Sequence, residues 1–99
     1  MTDREALALY ELRCRKHIQQ GGRCAICGNY VHLAFFQLGH RIPQRKDMIQ
    51  KYGSRIIYHP RNMVGTCSLN CNGKVQLTPD SMEEKALAES IRGDITEGR

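Results

Sequence analysis

The chain has no tryptophan, only two phenylalanines and four tyrosines, and no apolar run of the roughly 18 residues that a membrane-spanning helix requires. The first shortage excludes a core built on large rings, so the apolar interior is expected from scattered aliphatic residues such as Leu7, Ile18, Leu38, Ile56, Val64, Leu77 and Ile91. The second excludes a helical membrane span, and no membrane partner is expected. The opening Thr2-Asp3-Arg4-Glu5 is charged rather than a basic stub before an apolar stretch, which predicts no secretory leader and a cytoplasmic setting. Internal repeats and low-complexity linkers are lacking as well. At 99 residues the chain is expected to form a single domain, residues 1–99, with a core thin enough for a bound metal to supplement it.

Acidic residues are scarce where basic ones are dense. Between residues 37 and 76 Asp47 is the only acid, against Arg41, Arg45, Lys46, Lys51, Arg55, Arg61 and Lys74, whereas residues 77–99 hold six acids against three bases. The net charge of +5 is thus concentrated in the middle of the chain. That placement suits a phosphate-backbone partner, and charge alone fits a solvated basic loop equally well.

Five cysteines are present, an odd number. In a reducing compartment, paired thiols read as metal ligands more readily than as disulfides. Cys24-Ala25-Ile26-Cys27 and Cys67-Ser68-Leu69-Asn70-Cys71 supply four thiolates at spacings that close a tetrahedron. A site filled by four sulfurs has no open position for water, so zinc there is structural and not catalytic. Iron in the same cage would imply electron transfer, which nothing between the two pairs resembles; coincidental thiols are the remaining alternative. Cys14 is left over. It lies with Leu7, Tyr10 and Ile18 on one stripe of a helix and reads as a small buried side chain; with His17 three residues on, it could instead share a ligand face in a redox or zinc-sensing protein.

The local patterns predict a fold of the α+β class. Thr2-Asp3-Arg4-Glu5 has capping-box spacing and opens a helix over about 3–20, ended by Gly21-Gly22. A tight knuckle follows at Gly22 to Asn29, in which Gly28 relieves the backbone after the second thiol. Residues 30–38 are rich in strand formers, with a hairpin-like adjustment near His32 to Ala34, and His40 stands at or just past the strand end. Residues 43–58 read as a long loop with a short helical turn around Asp47 to Tyr52; loops this long in a small domain are uncommon unless functional. Met63 to Thr66 is a short strand, and Asn72 to Leu77 begins a helix. The last helix, about 79–92, is capped by Thr78 or Ser81, starts on Pro79, buries Met82, Leu87 and Ile91, and stops at Gly93. A frayed tail is expected from Thr96 to Arg99.

Taken in order, Cys-x-x-Cys, a strand running into His40-Arg41-Ile42-Pro43, a loop, Asn62-Met63-Val64, and a second cysteine pair followed at once by Asn72-Gly73-Lys74 resemble the zinc-stapled HNH endonucleases of the ββα-metal class. The resemblance covers about residues 24–77 and rests on the joint order of the motifs; the flanking helices carry no part of it. It implies a small treble-clef-like core stapled by Zn2+ between those helices, and hydrolysis of phosphodiester bonds in DNA with 5′-phosphate and 3′-hydroxyl products. It also implies His40 as general base and Asn62 as the side chain that bonds backbone across the loop. Asn72, where the motif has its last His, would ligate a catalytic Mg2+ or another divalent ion, such as Mn2+ or Ni2+, through its amide oxygen. Arg41 and Lys74 would hold phosphate oxygens, and Arg45, Lys46, Lys51, Arg55 and Arg61 would contact the nucleic-acid backbone.

The chain departs from the family pattern at Gly39, where an acid or another ligand commonly precedes the first His. Asp47 and His59 are the candidate replacement ligands, and His32 is a weaker one. Taken alone, His40 would read as a structural histidine. The alternative to a nuclease is a catalytically inactive zinc-dependent DNA-binding or adaptor module. The target, whatever the reading, would have to be specified by the loop after His40, by a homodimer or by a partner protein.

Overall fold

Seventeen residues from Asp3 to Gln19 form helix α1, and the local chemistry explains both ends. The Thr2 hydroxyl accepts from the Glu5 amide at 3.1 Å, and Gly21 and Gly22 leave the helix with φ of 63° and 74°, a region that L side chains avoid. The computed structural model describes residues 2–98, and among them the chain folds as two units, one of residues 2–39 with 64–75, the other of residues 40–63 with 76–98. Two antiparallel strands, β1 (Gln37–His40) and β2 (Met63–Thr66), and five α-helices make the architecture α+β.

In the first unit α1 is not oriented by the expected stripe. Leu7, Tyr10 and Ile18 are exposed, Cys14 is half-buried, and Leu12 is the buried residue of the helix. The reason is polar anchoring at its C-terminal end. His17 donates from Nε2 to the Val31 carbonyl at 2.7 Å and sets its ring edge-on against Phe36, centroids 5.0 Å apart. Gln20 then bridges to β2, accepting from Gly65 N at 2.7 Å while donating to Gly65 O at 3.0 Å. These directional bonds turn the helix away from its own apolar stripe.

The knuckle is closed by Cys24 N to Asn29 O at 2.9 Å and Gly28 N to Cys24 O at 3.0 Å, with Gly28 at φ 76°. Strand geometry does not cover residues 30–38 as expected. Leu33–Phe35 form a 3-10 turn started by His32, whose Nδ1 accepts from Ala34 N at 3.1 Å, so the strand begins only at Gln37. A local side-chain bond to the backbone competes there with β pairing and wins. Helix α4 (Leu69–Lys74) likewise starts three residues before the expected Asn72, because Ser68 caps it by accepting from Cys71 N at 3.3 Å. The core of this unit is Cys24, Val31, Phe36 and Cys71 with Cys67 packed on it. Phe36 presses on β2 so closely that its ring fills the place a Cβ would take at Gly65.

In the second unit the helical turn expected around Asp47 to Tyr52 is present as α2 (Lys46–Tyr52), and a further helix not expected from the sequence, α3 (Ser54–Ile57), follows after Gly53 at φ 90°. Apolar spacing too short to show a period still suffices when tertiary burial supplies the stabilisation. Helix α5 runs from Met82 to Thr96, later than expected at both ends. Ser81 is its cap, accepting from Glu84 N at 3.2 Å, Met82 is exposed, and Gly93 and Thr96 lie within the helix. Ile42, Met48, Ile56, Ile57, Ala88 and Ile91 form the core, and Tyr52 donates to the buried Glu84 carboxylate at 2.7 Å.

Candidate functional site

The four-cysteine cluster, a candidate metal centre, belongs to the first unit. The knuckle presents Cys24 and Cys27, and the step from β2 into α4 presents Cys67 and Cys71; the four sulfurs all lie within 4.8 Å of one another. Cys67 Sγ is 3.6 Å from both Cys27 Sγ and Cys71 Sγ. A tetrahedron with zinc–sulfur bonds of about 2.3 Å has edges of about 3.8 Å, so the donor set fits a metal such as zinc, whereas 3.6 Å is far too long for a disulfide. Burial raises the Cys24 thiol, but the backbone amides of Cys27, Ile26 and Cys67 outweigh it and bring the group down to about 6. The Cys67 thiol and then burial push Cys71 up to about 11. Four thiols this close cannot all ionise unless a cation neutralises them. Cys14 and His17 belong to no convergent set of three or more ligand atoms among the described residues, and His17 bonds Val31 through Nε2 and packs on Phe36.

Asn72, on α4, also lies in the first unit. A Cβ built on Gly39 would land on Asn72 Oδ1. The Asn72 amide oxygen thus occupies the space that a side chain at position 39 would enter.

His40 and Asn62 belong to the second unit. His40 ends β1, half-buried, with its ring edge-on to Tyr58 at 5.8 Å. Its Nε2 is buried with no hydrogen bond from any described residue, and desolvation holds the imidazole below its usual basicity. Asn62 is fully buried and spends its whole amide on backbone. Oδ1 accepts from Ile42 N at 2.8 Å, while Nδ2 donates to Ile42 O at 3.0 Å and Ile57 O at 2.8 Å. Arg41 N to Asn62 O at 2.8 Å and Leu77 N to Arg41 O at 2.8 Å hold the residue between them. The backbone just after His40 is thus tied down on three sides.

The proposed replacement ligands are otherwise engaged. His59 caps the 3-10 turn Pro60–Asn62, with Nδ1 accepting from Arg61 N at 3.2 Å. His32 makes the same kind of bond to Ala34 N. Both Asp47 oxygens take the Arg45 guanidinium, at 3.0 and 3.2 Å, which holds that carboxyl below the usual carboxylate range. Among the described residues, the four cysteines are the one set of three or more His, Cys, Asp or Glu side chains whose ligand atoms converge.

The basic residues divide into two groups. Arg45 pairs with Asp47, Lys51 with Asp80, and Arg61 with Asp94 at 2.5 Å. Lys46, Arg55 and Lys74 are exposed and enter none of these pairs, and Arg41 is half-buried. No family model, no curated protein and no solved structure matches the chain.

Two residues that act near these groups carry no motif in the sequence. Gln20 ties α1 to β2 in the unit that holds the cysteine cluster; its signal is an amide side chain directly before a Gly-Gly helix stop. Tyr58 supports His40 from eighteen positions along the chain, with no local pattern to announce it.

Proposed function

We propose that the protein is a metal-dependent DNA endonuclease of the HNH type, with His40 as general base and a structural zinc on Cys24, Cys27, Cys67 and Cys71. The observation that carries this reading is the His40 imidazole, half-buried and desolvated, directly ahead of a backbone segment that Asn62 holds at Ile42. A neutral imidazole at physiological pH can take a proton from the attacking water, and an anchored loop keeps that base from wandering. Asn62 acts as a positioning residue, through Ile42. Asn72 offers an amide oxygen beside Gly39, the residue before the base, and this oxygen is the donor suited to a hard divalent ion such as Mg2+. Such an ion, when bound, neutralises the charge that develops on the leaving 3′ oxygen. Lys46, Arg55, Lys74 and Arg41 hold backbone phosphates, and Arg45 can exchange its exposed carboxylate partner for phosphate, since an ion pair of that kind contributes little, whereas Arg61 faces the half-buried Asp94.

The test is cleavage of supercoiled plasmid with Mg2+, Mn2+ or Ni2+. Nicking that His40→Ala abolishes, with zinc content and folding unchanged, supports the reading. Plasmid left intact but retarded on a gel sinks it in favour of the inactive DNA-binding module.

A further inference from the structure

Helix α1 leaves an apolar stripe on its outer side: Leu7, Tyr10 and Ile18 are 57%, 49% and 78% exposed, at the three- and four-residue spacings of one helix face, with half-buried Cys14 between them. Charge on the same helix is segregated along its length. Asp3, Glu5 and Glu11 against Arg4 make the first half acidic, and Arg13, Arg15 and Lys16 make the second half basic. Glu11 and Arg15 are exposed, one turn apart on the same side as Leu7 and Ile18, yet neither enters an ion pair among the described residues.

From this we infer that α1 is a self-association surface whose occupant is a second copy of the same helix, laid antiparallel. A helix acidic at one end and basic at the other is complementary to itself only in that direction, because a parallel pair would set like charges side by side. The seventeen residues span about 25 Å, long enough for a seam of several side-chain layers. With Leu7 over Ile18 of the second copy, the register places Glu11 beside Arg15 of the other chain, twice by symmetry, and brings Tyr10 and Cys14 to the middle. The apolar stripe supplies the burial and the two charge pairs set direction and register. This inference does not depend on the nuclease reading.

Sedimentation of the zinc-loaded protein across a concentration series tests it. The mass is expected to rise from 11.3 kDa toward twice that value with concentration. Ile18→Glu should hold the protein at the monomer mass. Glu11→Arg and Arg15→Glu should each weaken the dimer by roughly tenfold, and the double exchange should restore it. All three positions are exposed, so zinc content and circular dichroism should stay at wild-type values. A wild-type protein that remains monomeric at about 1 mM overturns the inference. So does a dimer that the double exchange fails to restore, which would place the contact elsewhere or in another direction.

Discussion

Asn62 is the residue whose role the structure defines most narrowly. All three of its side-chain bonds go to backbone groups of Ile42 and Ile57, and it has no exposure to solvent. Asn62→Ala would strand buried donors and acceptors, and chemical denaturation should show a loss of about 3 kcal/mol or more. Asn62→Asp should do no better, because a carboxylate can accept from Ile42 N but cannot donate to the two carbonyls. On the proposed nuclease reading both variants should lower nicking through disorder at His40, whereas a variant of an exposed basic residue should leave stability alone.

His40 gives the pH prediction at the same scale. Its folded pKa lies below the ordinary 6.5, so between the two values the unfolded chain binds more protons than the folded one. The associated stability is present above about pH 6.5 and is lost as the pH falls through the depressed folded value. If His40 is the base, the acidic limb of the nicking profile should have its midpoint below 6.5, and a midpoint above that value would contradict the desolvation seen here. The same residues mark how far single positions could be read. His40 and Asn62 stood out because they fall within a motif order, while Tyr58 and Gln20 act across the fold and left no local trace.

Among the elements, the metal knuckle and α4 carry the largest consequence. Cys27 and Cys67, forty positions apart, meet in the cluster, so a bound ion would add a closure of this long loop to the Ala25–Gly65 backbone bond and the small apolar core of the unit. Removing metal with a strong chelator, or replacing Cys67 by Ser, should abolish cooperative melting of this unit in a thermal scan, with proton uptake by the released thiolates. Unchanged melting would show that the cluster is not a structural metal site. Glycine at position 65 offers a second check on the same packing. Gly65→Ala drives a methyl group into the Phe36 ring and should cost about 1–3 kcal/mol in denaturant titration. Element boundaries were the least legible feature: the cap at Thr2 and the strand at Met63 were plain, but His32 and Ser68 redirected their segments by hydrogen bonds that many polar residues could make and few do.

For the whole molecule, charge is the property that sequence and structure describe differently. The chain is strongly basic between residues 37 and 76, but three of those seven cations already face carboxylates, two of which come from the acidic C-terminal stretch. Folding therefore narrows the basic surface to fewer free cations than the count suggests. If DNA is bound, Lys46→Ala and Lys74→Ala should each lower the slope of log affinity against log salt by about 1, and Arg61→Ala should lower it by less, because Asp94 competes for that guanidinium. Equal effects at the three sites would mean that the ion pair with Asp94 opens at no cost.

The sequence by itself determined the four clustered cysteines, the α+β class and the cap at Thr2, and narrowed the cap of the last helix to Thr78 or Ser81, because each depends on spacing or on chemistry within a few residues. Tertiary structure alone decided that α1 turns its apolar stripe outward, that a second helix, α3, follows the helical turn expected around Asp47 to Tyr52, and that the Asn72 side chain packs against Gly39. The reason is common to all three: each follows from what a distant segment presents, whether His17 reaching Val31, the core of the second unit covering Met48 and Ile56, or Asn72 occupying the space at Gly39. Such encounters depend on where the folded backbone brings groups together, and no local spacing encodes that.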